Sequence, residues 1–206
     1  IMMSGPRKEW VLSTIAILIG LVALLLAADS LVDSIVGRDV LIKAYQMNRL
    51  LVFLDPTADT TGSGYNLMQS LIAVGSGGFF GKGIGNATQS ASGFLPEAHT
   101  DFIFALTSEE FGFVGDMLLL SLFALLIFST IRVAYKSDSL FLRLVAVGIV
   151  GIWTFQVLEN VGMCIGLMPI TGIPLPFISF GSSSMLMQLA NVGIVQSVWR
   201  HRSQAR

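Results

Sequence analysis

Charge is what this chain has least of. Lys and Arg number 12 and Asp and Glu 13 among 206 residues, 12% in all. An ordinary soluble domain carries roughly 25%, so with 53% hydrophobic residues this chain belongs in a bilayer. Cysteine is nearly absent. Cys164, within an apolar segment, is the one thiol; no disulfide can close inside the chain, and a small buried hydrophobe is the expected role. The two histidines are His99 and His201. The charge pattern below puts them on opposite sides of a membrane, which excludes a two-histidine metal site. A formal net charge of -1 gives no basis for expecting nucleic acid as a partner. A cleavable signal is lacking too, because the apolar run after Arg7 and Lys8 is too long and has no small-residue cleavage site. The opening at Ile1 suggests a piece of a longer membrane protein.

Long apolar runs are what the chain does have. A spanning helix needs about 20 mostly apolar residues. Four segments qualify, at about 10–28, 102–133, 144–168 and 178–199, with a long loop at about 29–101. The expected fold class is therefore all-α, a polytopic transmembrane helix bundle with a structured outer loop carrying short amphipathic helices. Arg7 and Lys8 precede the first segment, Arg132, Lys136 and Arg143 join the second to the third, and Arg200, Arg202 and Arg206 follow the fourth. If the helices alternate in direction, all of these fall on one side, which the positive-inside rule makes cytoplasmic. Both ends of the chain are then cytoplasmic, and the long loop shares the outer face with the short connection near Thr171–Phe177.

The outer loop has a pattern of its own. Val40, Leu41, Ala44, Met47, Leu51 and Leu54 recur at helical spacing. Arg38, Lys43 and Arg49 suit a helix lying among lipid headgroups. Asp55-Pro56 ends it, Asp59–Gly64 reads as a turn, and Tyr65–Val74 as a second short helix. Gly75–Gly85 holds six glycines in eleven residues. It lacks the strand and the Gly-Lys-Ser/Thr ending of a nucleotide loop, so its glycines are read as permitting a re-entrant turn or close backbone approach.

Two stretches concentrate the chemistry. Phe94–Phe104 reads FLPEAHTDFIF and places Glu97, His99 and Asp101 where polar loop meets apolar segment. Partial desolvation raises a carboxylate's pKa toward the range of a general base, and Asp101 is the leading candidate. Thr100 or Asp101 would equally serve as a helix N-cap. Glu97 and His99 are candidate substrate contacts, and Lys82 a candidate partner for an anion. A hard divalent cation, magnesium or manganese, on Asp101 and Glu97 with diphosphate oxygens is open. The second stretch is Thr171–Ser184 (TGIPLPFISFGSSS), broken by Pro174 and Pro176. Ser182, Ser183 and Ser184 open the last segment, where backbone N–H groups and hydroxyls can either hold an anion or simply cap the helix. Gln156, Glu159 and Asn160 share a helical face and suggest a polar seam between helices, with Glu159 read as lying mid-span.

These motifs resemble the SEDS family (shape, elongation, division and sporulation), the group of RodA, FtsW and SpoVE. The resemblance runs through DPTADTTGSGYNLMQSLIAVGSGGFFGKGIG from Asp55, FLPEAHTDFIFALTSEEFGFVG from Phe94, and NVGMCIGLMPITGIPLPFISFGSSS from Asn160. It implies a ten-helix protein of which this chain supplies the last four spans. It also implies glycosyl transfer on lipid II, the undecaprenyl-diphosphate-linked disaccharide-pentapeptide, at the outer face of the bacterial cytoplasmic membrane. The family's catalytic Asp falls on Asp101, and a class B penicillin-binding protein is the implied partner. Two rival classes are a lipid II flippase and a non-catalytic scaffold for that transpeptidase. The family usually reads Gly-Gly-Ser-Ser where this chain has Gly181 to Ser184, and Tyr is common where Phe180 stands.

Overall fold

The computed structural model describes residues 62–91, 94, 95 and 97–201, with isolated positions at 12, 13, 16, 17, 19–21, 23, 24, 49, 52 and 53. The first apolar segment, the helix expected over Val40–Leu54 and the turn at Asp59–Gly64 lie wholly or mainly outside the described residues, as do Arg7, Lys8, Arg202 and Arg206. The described residues are all-helical. The helices are α1 (Ser63–Gly77), α2 (Thr88–Ala91), α3 (Ile103–Tyr135), α4 (Leu140–Cys164) and α5 (Ser182–His201).

Among the described residues, α3 and α4 are long and apolar enough to cross a membrane. This is a helical membrane protein. α3 has 33 residues but is interrupted at Gly112, and the part after the interruption, 113–135, is roughly 35 Å long, enough for the ~30 Å hydrocarbon core. Its apolar stretch, Met117–Ile131, lies toward its C-terminal end. The first ten residues, with Glu109 and Glu110, extend past it. α5 is more polar, carrying Gln188, Asn191, Gln196 and Ser197. Gln188 is buried and joins α5 to α4, accepting from Trp153 Nε1 at 2.7 Å and donating to Gln156 at 3.1 Å. The expected seam exists, with Gln156 in it. Packing and such interhelical bonds hold helices together where lipid removes the hydrophobic drive.

α3 and α4 run antiparallel through a four-residue turn. Arg143 donates to the Ser137 carbonyl at 2.8 Å, and Lys136 stands 5.6 Å from the Trp199 ring. Arg132, Lys136, Arg143 and Arg200 therefore gather at one end of the bundle. The start of α3, the exit of α4 and the start of α5 lie at the other.

Helix ends differ from the apolar stretches for local reasons. α4 stops at Cys164, where Gly166 takes a positive φ of 74° and the Leu167 N–H folds back to the Gly162 carbonyl at 2.7 Å. The chain reverses there, so Met168 packs on Gly162. α5 begins only at Ser182 because Ser179 and Phe180 are bound to the loop before α3.

The larger core lies at the site end. Leu67 and Ala73 of α1, Phe102 just before α3, Phe104 and Ala105 of α3, Met163 and Cys164 of α4, and Ile170 form one buried cluster. Cys164 is fully buried, and its carbonyl accepts from Ser70 Oγ at 3.0 Å. Residues 97–102 thus rest on a packed platform.

Candidate functional site

The two stretches singled out in the sequence meet at one end of the bundle. Ser179 Oγ donates to the Thr100 carbonyl at 2.7 Å and accepts the Leu175 N–H at 2.8 Å. The Phe180 N–H donates to the His99 carbonyl at 2.9 Å. From α4, Asn160 Nδ2 donates to the Asp101 carbonyl at 2.7 Å and the Ile173 carbonyl at 2.9 Å. The proline-broken segment can make these bonds because its backbone is not committed to a helix. Glu97 (φ 54°) and Phe177 (φ 64°) are the non-glycine residues with positive φ among those described, one in each stretch. Such conformations persist where surrounding structure over-determines them, and they cluster at functional sites.

Asp101 is half-buried and does not cap α3. The N-cap position is Phe102, without a side-chain cap bond. The Thr100 hydroxyl turns back to the Glu97 carbonyl and carboxylate, at 3.2 and 3.0 Å. The capping role expected of Thr100 or Asp101 is thus not filled, because the 97–100 turn uses these groups itself. The Asp101 carboxylate points at Gly172, whose φ is +77°. Burial out of water, with the negative charge of Glu97 beside it, pushes the Asp101 carboxyl above the ordinary aspartate value of 3.8, against the pull of Arg49 and the Thr100 hydroxyl.

His99 and Ser182 share a cavity of about 550 Å³, whose wall includes Ile103, Phe180 and Met185. Ser183 is exposed and Ser184 half-buried at the same helix start. Asp101 lies in the chain between His99 and Ile103 of that wall, and its carboxylate lies against Gly172. Lys82 is placed elsewhere. Its ammonium meets Glu109 Oε1 at 2.6 Å and Thr88 Oγ1 at 2.8 Å. Glu109 is wholly buried and also accepts the Thr88 N–H at 2.9 Å, the Thr88 hydroxyl at 2.8 Å and the Gln89 N–H at 3.2 Å. The ammonium expected to face a substrate anion is thus committed to a protein carboxylate. Glu159, expected mid-span, lies near the exit of α4. It accepts from Thr171 at 2.7 Å, because the reversal at Gly166 folds the following loop back along the helix.

The glycine-rich segment docks where α3 breaks. Gly112 has φ 67° and ψ -169°, outside helical values. A continuous helix would bond the Phe113 and Val114 N–H groups to the Glu109 and Glu110 carbonyls. Instead Phe113 and Val114 donate to the Gly78 and Phe79 carbonyls at 2.9 and 3.1 Å, while Lys82 and Gly83 donate to the Glu109 and Glu110 carbonyls at 2.9 and 3.0 Å. A Cβ on Gly112 would come within 2.3 Å of the Gly81 nitrogen, so the close approach requires glycine. The expected tight backbone approach is found.

The spacing of Arg49 suits a headgroup helix. Its side chain instead donates from Nη1 to the Ile170 carbonyl at 2.8 Å and holds down the Asp101 pKa. Nothing in helical spacing could show this, since the contact joins segments far apart in the chain. For a metal, no group of three or more His, Cys, Asp or Glu side chains gathers among the described residues. Asp101 and Glu97 remain as a carboxylate pair close enough to repel. Such a pair fits the way magnesium is held, by one or two carboxylates with substrate phosphates completing the shell.

Comparison with known proteins agrees with this architecture. Residues 1–204 match the model of the FtsW/RodA/SpoVE family, described as cell cycle proteins. The chain is 46% identical over 158 residues to peptidoglycan glycosyltransferase MrdB of Escherichia coli (strain K12), covering 77% of this chain and 43% of that protein. It is 46% identical over 162 residues to stage V sporulation protein E of Bacillus subtilis (strain 168), covering 79% of this chain and 44% of that one. It thus spans less than half the length of these curated relatives. Among solved structures it resembles a chain from a study of how a peptidoglycan synthase complex coordinates polymerization and crosslinking, with TM-score 0.67 and 35% identity over 92% of this chain and 50% of that one.

Proposed function

Since this chain belongs to the FtsW/RodA/SpoVE family of cell cycle proteins, we propose that it carries the catalytic part of a peptidoglycan glycosyltransferase that polymerises lipid II. The observation that carries the reading is Asp101: a half-buried carboxylate, free of any capping duty, on a turn held by Asn160 of α4 and by Ser179, between two residues that line a cavity. The basic end of the bundle lies in the cytoplasm by the positive-inside rule. The Asp101 end then faces outward, with both chain ends cytoplasmic, in the bacterial cytoplasmic membrane. A class B penicillin-binding protein is the proposed partner. Similarity to a chain of a synthase complex supports this.

The chemistry follows from the groups present. Asp101 takes the proton from the 4-hydroxyl of the acceptor sugar, and its raised pKa makes it a stronger base than an ordinary aspartate. The freed oxygen attacks the anomeric carbon of the donor, whose bond to the diphosphate breaks. No covalent enzyme intermediate is needed, so no nucleophilic Ser or Cys is required. Arg49 supplies positive charge near Asp101, and Ser182, which lines the cavity at the start of α5, brings the partial positive charge of a helix N-terminus to it. Lys82 contributes through Glu109 rather than through the substrate. A magnesium or manganese ion, when bound, would be held by Glu97 and one oxygen of Asp101, leaving the other oxygen for the proton, and would supply positive charge for the leaving diphosphate.

The test uses the complete membrane protein carrying this segment, incubated with labelled lipid II, with the glycan products sized on a gel. The wild type is expected to make long strands and Asp101→Asn none, with equal membrane insertion. Strands of normal length from a well-folded Asp101→Asn protein would overturn the assignment. Lipid II crossing vesicle membranes without glycan would identify a flippase, and neither activity would leave a scaffold.

A further inference from the structure

We propose that Asn160 is a positioning residue for Asp101, one buried amide that sets the distance between the Asp101 main chain and the segment its carboxylate rests against. The proposal rests on Asp101 acting as the base.

Asn160 is fully buried near the C-terminal end of α4, on a helix rather than a loop. An amide NH₂ has two hydrogens. Asn160 spends one on the Asp101 carbonyl at 2.7 Å and the other on the Ile173 carbonyl at 2.9 Å. Both acceptors need an outside partner. The first carbonyl used within α3 is that of Phe102, which accepts the Leu106 N–H, so the Asp101 carbonyl lies one residue too early for the helix. Ile173 precedes Pro174, in a segment without helix or strand. Ile173 also follows Gly172, the residue that the Asp101 carboxylate faces. The same amide therefore holds the catalytic residue and the surface under it. The neighbouring clamps, Ser179 to Thr100 and Phe180 to His99, come from the loop itself. Asn160 ties the pair to a helix anchored elsewhere in the bundle.

A second observation separates this role from ordinary packing. The Asn160 Oδ1 atom is buried and has no hydrogen-bond partner among the described residues. A half-satisfied buried amide is a poor choice for stability alone, because an unmet polar atom costs free energy. The donor half is what the site uses.

The test compares Asn160→Leu, Asn160→Asp and Asn160→Ser in the complete protein reconstituted with labelled lipid II. Turnover is normalised to the fraction of molecules that bind lipid II, so that partial misfolding does not count as lost catalysis. Leu keeps the volume and removes both donors, Asp turns acceptors toward two carbonyls, and Ser keeps one donor. The expected result is a kcat lower by roughly 10- to 100-fold for Leu and Asp, the scale of an ångström of misplacement, with KM unchanged and Ser in between. Should Leu and Asp fail to fold, the Ser variant alone decides. Normal kcat per binding-competent molecule overturns the proposal, as does a KM that rises in step with the loss. An inactive Asp101→Asn beside a fully active Asn160→Ser refutes the positioning role and leaves the base in place. An active Asp101→Asn removes both.

Discussion

The carboxylate of Asp101 rests against the α-carbon of Gly172: a Cβ added there would stand 2.9 Å from Asp101 Oδ2. Gly172 also holds φ +77°, which costs any L side chain about 1–2 kcal/mol. Gly172→Ala is thus expected to lower stability by about that amount and to push the carboxylate off its position. Polymerisation should fall by about 100-fold, the scale of an ångström of misplacement. Thermal melting and lipid II turnover check the two effects separately, and a variant that loses stability but keeps turnover would show that the contact is only steric.

The pH dependence has a definite sign. Asp101 must be ionised to act as base, and burial raises its pKa above 3.8. Activity should therefore fall on acidification at a higher pH than an ordinary aspartate would give. Arg49 opposes that shift. Arg49→Gln is expected to move the acid limb of the rate profile further upward. The raised pKa also means that the folded state binds the proton more tightly than the unfolded chain, so the ionised carboxyl costs stability, and that cost appears as pH rises through the window between 3.8 and the folded value. Asp101→Asn should then abolish turnover without lowering the melting temperature at neutral pH.

Lys82 and Glu109 form an ion pair with one partner wholly buried and the other 28% exposed. Lys82→Met leaves Glu109 its Thr88 and Gln89 donors but no counter-charge. A loss of about 1–3 kcal/mol is expected, below the 3–5 kcal/mol seen when a fully buried pair is broken. Lys82→Met with Glu109→Gln should recover part of it. Denaturation measures the stability, and KM for lipid II should stay unchanged in the folded single variant. A raised KM would return Lys82 to the substrate.

Much of this architecture could be read from residue order because membrane helices are written in long apolar runs. The run Met117–Ile131 falls within α3, and the run Leu144–Met168 overlaps α4, which stops four residues earlier at Cys164. Helical spacing gave Tyr65–Val74, inside the observed Ser63–Gly77. Charge alternation put the FLPEAHTD and TGIPLPFISFGSSS stretches on one face, and the structure brings them into hydrogen-bond contact. What spacing could not reach was pairing across distance. Lys82 looked like a lone cation because its partner, Glu109, lies on another element. Arg49 looked like a lipid anchor because amphipathic periodicity carries no information about Ile170. Glu159 looked mid-span because the apolar run continues past Cys164 to Met168, although the helix does not. The break at Gly112 was hidden for a related reason. An isolated glycine inside an apolar helical pattern is usually tolerated, and only the docked turn makes it a discontinuity.

The exchange of hydrogen bonds at Gly112 also governs how this chain can change length. Four main-chain bonds join residues 78–83 to residues 109–114, two on each side of the interruption. Deleting or inserting one residue between the two bonded pairs of either stretch would put one pair out of step with the other, with no single side chain able to compensate. Natural length variation among such chains should therefore stop at the borders of this seam, and an engineered tag or cleavage site placed within it should cost the fold rather than decorate it.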